Sequence, residues 1–279
     1  MTDYLKFKAD LSDPAIATAF DDFTYWSSMF GQLLFRHLPI STPITALDVG
    51  CATGFPLLEL ADRLGPSSFV YGIDSWESAV ERAQMKASVR GQHHVELTLA
   101  DASSMPYEND SFDLIVSNLG VNNFDNPELV MAECYRVCKP GGRLALTSNL
   151  VGHMSEFYVV FATTLAATGN EDLVDNLRRH IEHRATGDGL HELFSGAGFE
   201  ITSYQTETFS LRYADGSAFL RAYLSRLGFL DGWRSVLIEP VDEIGFFSEL
   251  ESRLNQLSRR NGELLLTIPA AYIEGQKAA

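Results

Sequence analysis

The chain has 279 residues, 46% of them apolar, which is enough for one large domain or one domain carrying a sizeable insertion. Its formal charge of −16 opposes phosphate backbones and anionic lipid surfaces, so neither nucleic acid nor membrane is an expected partner. No apolar run approaches the ~18 residues of a membrane span. Met1 to Asp10 mixes charges with apolar residues, unlike a signal peptide. Cys51, Cys134 and Cys138 are too few for a disulfide framework and lack local partners for a metal site. A cytoplasmic protein with reduced thiols and no metal is expected.

Residues 14–38 read as a helix, with Ser12 or Asp13 as its cap and Pro14 in its first turn. Strands and helices then alternate. Strands are expected over 44–49, 69–73, 95–100, 112–117 and 143–148, and helices over 56–64, 76–89 and 127–138. The strands are almost continuously apolar, as parallel strands covered on both faces are. The fold class expected is α/β, a doubly wound, mostly parallel, seven-stranded sheet.

The second half is less regular. Helices are expected over 154–168, 171–183, 190–197, 217–228 and 235–260, with strands over 199–213 and 264–273. The chain therefore divides into an N-terminal helical segment (1–40), a core (41–150) and a remainder (151–279). The remainder completes the sheet and adds a helical lid at about 151–186 and 214–261.

The chemistry gathers at strand ends. Leu47-Asp48-Val49-Gly50-Cys51-Ala52-Thr53-Gly54 closes the first strand and opens a helix. Small residues there let the backbone turn tightly and approach a ligand, and a helix N-terminus offers free N–H groups. A dinucleotide fingerprint would need Gly at 52 and 55, where Ala52 and Phe55 stand, so a nicotinamide cofactor is disfavoured. Asp74, ending the second strand, can accept from both hydroxyls of a ribose, cap the helix that follows, or do both. Asp101 and Ala102, after the third strand, suit a flat ring with an exocyclic amine, or a simple turn. Asn118 stands at the end of the fourth strand, beside the first strand's loop.

In this order, over residues 42–150, these pieces resemble the class I S-adenosylmethionine-dependent methyltransferases. The resemblance implies that Gly50 and the backbone of Cys51 and Ala52 hold the amino-acid end of the cofactor, with Asp48 also in the cofactor site. It implies Asp74 on the ribose, Ser75 and Trp76 beside the adenosine, Asp101 and Ala102 on the adenine, and Asn118 and Leu119 near the sulfonium. Where the family's loop carries a third Gly, this chain has Ala52. The run from Ser117 to Phe124 is also similar to the matching segment of quinone-biosynthesis C-methyltransferases. Tyr25 or Trp26 would lie over the cofactor, or both would belong with Met29 and Phe30 to a packing stripe.

The implied reaction moves a methyl group from S-adenosyl-L-methionine to an oxygen or carbon of an apolar or aromatic small molecule. Should the acceptor have to lose a proton, His153 and Glu156 are the candidate bases. Arg178, Arg179, His180, His183 and Arg184 form a basic cluster that either meets an anionic ligand or is a solvated helix face. The fourth strand ends in Ser-Asn-Leu-Gly rather than an Asn-Pro-Pro-Tyr run, which speaks against methylation of nucleic-acid amino groups. The competing readings are a catalytically silent cofactor-binding subunit or regulator, and a nicotinamide-dependent oxidoreductase.

Overall fold

The computed structural model describes residues 2–21, 24–238 and 240–279, with Thr24 described by its backbone alone. Asp22 and Phe23, inside the helix expected over 14–38, and Glu239, inside that expected over 235–260, lie outside the described residues. Seven strands form one sheet: β1 (Thr45–Val49), β2 (Phe69–Asp74), β3 (Val95–Leu99), β4 (Phe112–Asn118), β5 (Cys138–Asn149), β6 (Glu200–Tyr213) and β7 (Leu264–Gln276). Their order is β3-β2-β1-β4-β5-β7-β6. The β2/β3, β1/β2, β1/β4 and β4/β5 pairs are parallel, and β7 runs antiparallel to β5. This is the doubly wound α/β sheet that the alternation of strand and helix predicts.

The helices are α1 (Pro14–Phe20), α2 (Thr24–His37), α3 (Leu57–Leu64), α4 (Glu77–Val89), α5 (Pro127–Val137), α6 (Ser155–Ala167), α7 (Val174–Glu182), α8 (Gly187–Ala197), α9 (Gly216–Arg221), α10 (Tyr223–Gly228), α11 (Leu230–Arg234) and α12 (Glu243–Asn261). Local chemistry sets their ends. Asp13 accepts from the Ala15 N–H at 2.8 Å, with Pro14 in the first turn of α1. Asn126 caps α5 in the same way, ahead of Pro127. Gly198, at φ 100°, ends α8.

Three expected helices differ. The one over 14–38 is two, α1 and α2. The one over 217–228 breaks at Ala222, whose ψ of 140° is extended. The one over 235–260 starts only at Glu243, because Asp242 accepts from the Gly245 N–H at 3.0 Å and fixes the helix start there. Helical periodicity locates an apolar face but not the cap that interrupts it.

The chain divides into two compact units. One comprises Asp10–Asn149, Thr186–Glu207 and Ala270–Ala279 and holds α1 to α5, α8 and β1 to β5. Its core is made by the apolar strands, with Leu47, Val49, Val70, Ile73, Ile115, Val116 and Leu144 buried. β1 lies between β2 and β4, so successive strands are laid to either side of it. That makes its carboxyl end the topological switch point, where open α/β sheets bind ligands.

The other unit comprises Met1–Ala9, Leu150–Ala185 and Thr208–Pro269 and holds α6, α7 and α9 to α12. An aromatic cluster fills it. The Phe157 ring lies 4.4 Å from Trp233 and 5.4 Å from Phe219, and Phe161 lies 4.8 Å from Phe246. All five are buried, so their area stabilises the unit rather than lining an acceptor site. Among the described residues no helix is long and apolar enough to cross a membrane.

Candidate functional site

Asp48 sits within β1 between Leu47 and Val49, and all three are completely buried. Neither of its carboxylate oxygens has a hydrogen-bond partner among the described residues. The Leu57 N–H is near enough to favour the charged form slightly, but it falls short of hydrogen-bond geometry. Burial first, and the charge of Asp74 second, push the Asp48 pKa up to about 8. Its carboxyl is therefore largely protonated at neutral pH. An unpartnered buried carboxyl is costly to the fold, and its presence points to a ligand that supplies the partner.

Past Val49 the chain turns through left-handed conformations, with Gly50 at φ 78° and Ala52 at φ 42°. The Gly50 and Cys51 N–H groups both donate to the Ile73 carbonyl, at 2.9 and 3.2 Å. The left-handed conformation of Ala52 costs about 1–2 kcal/mol. Asp74 offsets it, because its Oδ2 accepts from the Ala52 N–H at 2.8 Å. Lys86 braces the same turn from α4, donating to the Thr53 carbonyl and to Asp21, each at 2.7 Å. Arg82 donates to Asp21 as well, at 2.7 Å.

Asp74 Oδ1 accepts from the Trp76 N–H at 2.8 Å, so its carboxylate joins the β1 loop to the entry of α4. The cap role weighed from sequence is not what the structure shows: Trp76 is the N-cap of α4, without a side-chain cap bond, and Asp74 holds the turn just before it. Burial raises the Asp74 pKa, and the hydrogen bonds from Trp76 and Ala52 partly oppose that. Ser75 is exposed. Trp76 donates from Nε1 to the Leu11 carbonyl at 2.6 Å and meets Phe20 edge-on at 5.3 Å.

The Ala100 N–H donates to the Asp74 carbonyl at 3.1 Å, which sets Asp101 and the half-buried Ala102 just beyond the adjacent strand end. Asp101 is exposed. Its Oδ1 accepts from the Ser103 N–H at 2.8 Å, and hydrogen bonds from Ser103 hold its pKa below the ordinary value. The turn-forming role of Asp101 is therefore present.

On the other side of β1, the Ser117 hydroxyl donates to the Val49 carbonyl at 2.7 Å. Asn118 is held at both ends of its amide: it donates to the Ser27 carbonyl at 3.1 Å and accepts from the Thr147 hydroxyl at 2.8 Å. It thereby joins α2, β4 and β5. Leu119, at φ 67°, donates its N–H to the Thr147 carbonyl. Gly120 permits this turn, since a Cβ there would lie 2.4 Å from the Ser117 hydroxyl. Of the aromatic stripe on α2, Phe30 is buried and Trp26 packs on it at 5.1 Å, whereas Tyr25 is 65% exposed.

The structure thus brings Asp48, Gly50, Cys51, Ala52, Asp74, Ser75, Trp76, Asp101, Ala102, Asn118, Leu119 and Tyr25 into one unit, while His153 and Glu156 belong to the other. His153 is buried between Tyr158 and Phe229, and burial, followed by Arg184 and His180, depresses its pKa to about 3. Glu156 accepts from both the N–H and the hydroxyl of Thr267. Burial works against its charge, but those bonds outweigh it and lower the pKa. Each is poorly suited to take a proton. Sequence reasoning missed Ser117, Thr147, Asp21 and Lys86, whose partners lie far along the chain. Only the Arg82/Lys86 spacing on one helix face hinted at a paired role.

Residues 40–198, more than half of the chain, match the family described as Methyltransferase domain. The demethylmenaquinone methyltransferase of Lactococcus lactis is 31% identical over 173 residues, covering 59% of this chain and 69% of that protein. The chain belongs to the class I S-adenosylmethionine-dependent methyltransferases. The demethylmenaquinone methyltransferase of Anoxybacillus flavithermus is a further relative, 29% identical over 185 residues, covering 63% of this chain and 78% of its own. A solved S-adenosylmethionine-dependent methyltransferase from Aquifex aeolicus shares the fold with a TM-score of 0.54 at 20% identity, over 69% of this chain and 91% of that one. Family membership removes the nicotinamide-dependent oxidoreductase reading. The residues of this methyltransferase fit the family's cofactor: the unpartnered, buried Asp48 is what a cationic amino-acid group would satisfy.

Proposed function

We propose that this methyltransferase acts in the cytoplasm on an oxygen or carbon of an apolar or aromatic small molecule, with no nucleic-acid partner. The observation that carries the site is the buried, unpartnered Asp48 beneath a left-handed loop at the sheet's switch point. Asp48, Gly50 and the main chain of Cys51 and Ala52 hold the amino-acid end of the cofactor. Asp74 accepts from the ribose hydroxyls, with Ser75 and Trp76 beside the adenosine. Asp101 and Ala102 take the adenine. Asn118, fixed by Ser27 and Thr147, forms with Leu119 the β4 edge of the site, and Tyr25 covers the cofactor.

S-adenosylmethionine supplies a methyl group that its sulfonium already makes electrophilic. The protein's part is to align the acceptor atom and exclude water, and positioning of this kind contributes up to roughly 7–11 kcal/mol. His153, with its pKa near 3, and Glu156, engaged by Thr267, support an acceptor that ionises readily, such as a phenol or hydroquinone, over one that needs a strong protein base. The names of the relatives, demethylmenaquinone methyltransferases, favour a quinol. The acidic charge of the chain supports the absence of a nucleic-acid partner.

The test is incubation with methyl-labelled S-adenosylmethionine and a panel of prenylated naphthohydroquinones, catechols and an RNA pool. Label is expected in the hydroquinones or catechols. Label in the RNA alone, or cofactor binding with no transfer to any aromatic acceptor, would overturn the reading.

A further inference from the structure

One cavity of about 710 Å³ lies within the unit built from α6, α7 and α9 to α12, and methyl transfer as proposed above does not use it. Arg179, His180, His183 and Arg184, from the end of α7 and just beyond it, line it together with Phe229 and Ile238. Helix spacing separates these groups from Arg178: residues 180, 183 and 184 follow at three- and four-residue intervals, while Arg178 is exposed and pairs with Asp175 at 2.9 Å. The basic cluster is a solvated face only in part: Arg178, Arg179 and His183 are exposed, while His180 and Arg184 are half-buried.

No carboxylate among the described residues forms an ion pair with Arg179 or Arg184. Asp175 is committed to Arg178, Glu182 forms no ion pair among the described residues, and the Arg179 guanidinium donates to the Asn176 side-chain oxygen. What sets Arg179 and Arg184 apart is that both line one cavity with His180 and Phe229. The Tyr158 hydroxyl contacts His180 Nε2 at 3.1 Å and accepts from Trp233 Nε1 at 3.4 Å, so part of the lining is already positioned. Burial, then Arg184 and His183, lower the His180 pKa to about 4, so His180 adds no positive charge to the lining at neutral pH.

We propose that this cavity binds a small organic carboxylate with an apolar body, its carboxylate held by Arg179 and Arg184 and its body against Phe229 and Ile238. Planar guanidiniums match a carboxylate through paired hydrogen bonds. Apolar walls beside them would gain nothing from a bare inorganic anion. The volume lies in the range of pockets that enclose small organic ligands. The site stands apart from the cofactor-site reading and is tested by binding alone.

The experiment is calorimetric titration of the full chain with 4-phenylbutyrate, 4-phenylbutanol and inorganic phosphate, in parallel with S-adenosylmethionine. Saturable one-to-one binding of the acid is expected, with the alcohol and phosphate at least tenfold weaker. Arg184→Gln should weaken the acid at least tenfold and leave the cofactor titration unchanged. If Arg184→Gln fails to fold by circular dichroism, the exposed Arg179→Gln decides, with the same loss expected. Equal affinity for acid and alcohol, equal affinity for acid and phosphate, wild-type affinity in the deciding variant, or no saturation by ~10 mM acid would overturn the proposal. Failure of S-adenosylmethionine to bind would count against the cofactor site and not against this one.

Discussion

Replacing Asp48 by asparagine probes the most unusual group in the cofactor site. The folded state raises the Asp48 pKa from 3.8 to about 8, so it holds the proton more tightly than the unfolded chain does. Below the ordinary carboxylate value both states are protonated, and Asp48 carries no ionisation penalty. Above it, each pH unit removes about 1.4 kcal/mol of stability, until the folded group also ionises near pH 8. The accumulated cost is about 4 kcal/mol at pH 7. The substituted amide would never ionise, but it buries two N–H donors where the neutral acid buries one O–H, at an added cost of about 1–3 kcal/mol at every pH. Asp48→Asn is therefore expected to be less stable than wild type near pH 4 and more stable, by about 2–4 kcal/mol, at pH 8, where the penalty reaches about 5 kcal/mol. Urea unfolding followed by tryptophan fluorescence across that range should show the two stability curves crossing. Parallel curves, with the variant offset by a constant amount, would refute the account of Asp48 as a buried acid without a partner.

Gly50→Ala meets no steric barrier, since its Cβ would stand 3.5 Å from the Gly120 Cα, but φ at 78° disfavours any side chain. Thermal unfolding should register a loss of about 1–2 kcal/mol; an unchanged melting temperature would contradict the strain assigned there. Glu156→Gln removes a charged acceptor for Thr267 and should cost about 1.5–3 kcal/mol at neutral pH. Because the Glu156 pKa is lowered in the folded state, its contribution exists above the unfolded value and vanishes as pH falls through the folded one, so variant and wild type should converge in acid. Turnover per folded molecule should be retained, whereas a hundredfold loss of kcat with intact stability would make Glu156 the catalytic base. Phe157→Ala leaves a hole beside Trp233 and Phe219 and should destabilise by about 3–5 kcal/mol, read by denaturant titration with near-ultraviolet dichroism; a change below 1 kcal/mol would contradict its core role.

The strands were legible because a parallel strand is apolar on both faces, and Ile44–Val49 or Phe112–Ser117 have few other uses. The turns after β1 and β2 were legible because small residues and an acid at a strand end carry their own chemistry. What escaped depends on distant neighbours. The amide of Asn118 is fixed by Ser27 and Thr147, which are 91 and 29 positions away, and no local pattern encodes that. Leu119 takes a left-handed φ against its intrinsic preference because the Thr147 carbonyl and Gly120 accommodate it. Phe157 and Trp233 carry an apolar signature whether they line a ligand or pack on each other, and only packing distinguishes the two. Arg178 and Arg179 are adjacent in sequence and both exposed, yet of the two Arg179 alone lines the cavity, because one helical step rotates a side chain by about 100°.

The central claim is that the carboxyl rim of β1, β2 and β3 grips an adenosyl cofactor, with Asp74 as its ribose acid. Calorimetric titration of S-adenosylmethionine into wild type and into Asp74→Ala tests it most directly, with circular dichroism to verify that the variant folds. The account predicts one-to-one binding by wild type and an affinity at least tenfold weaker, about 1.4 kcal/mol or more, in the variant. Equal affinities in the two proteins, or no heat of binding from wild type at millimolar cofactor, would contradict it.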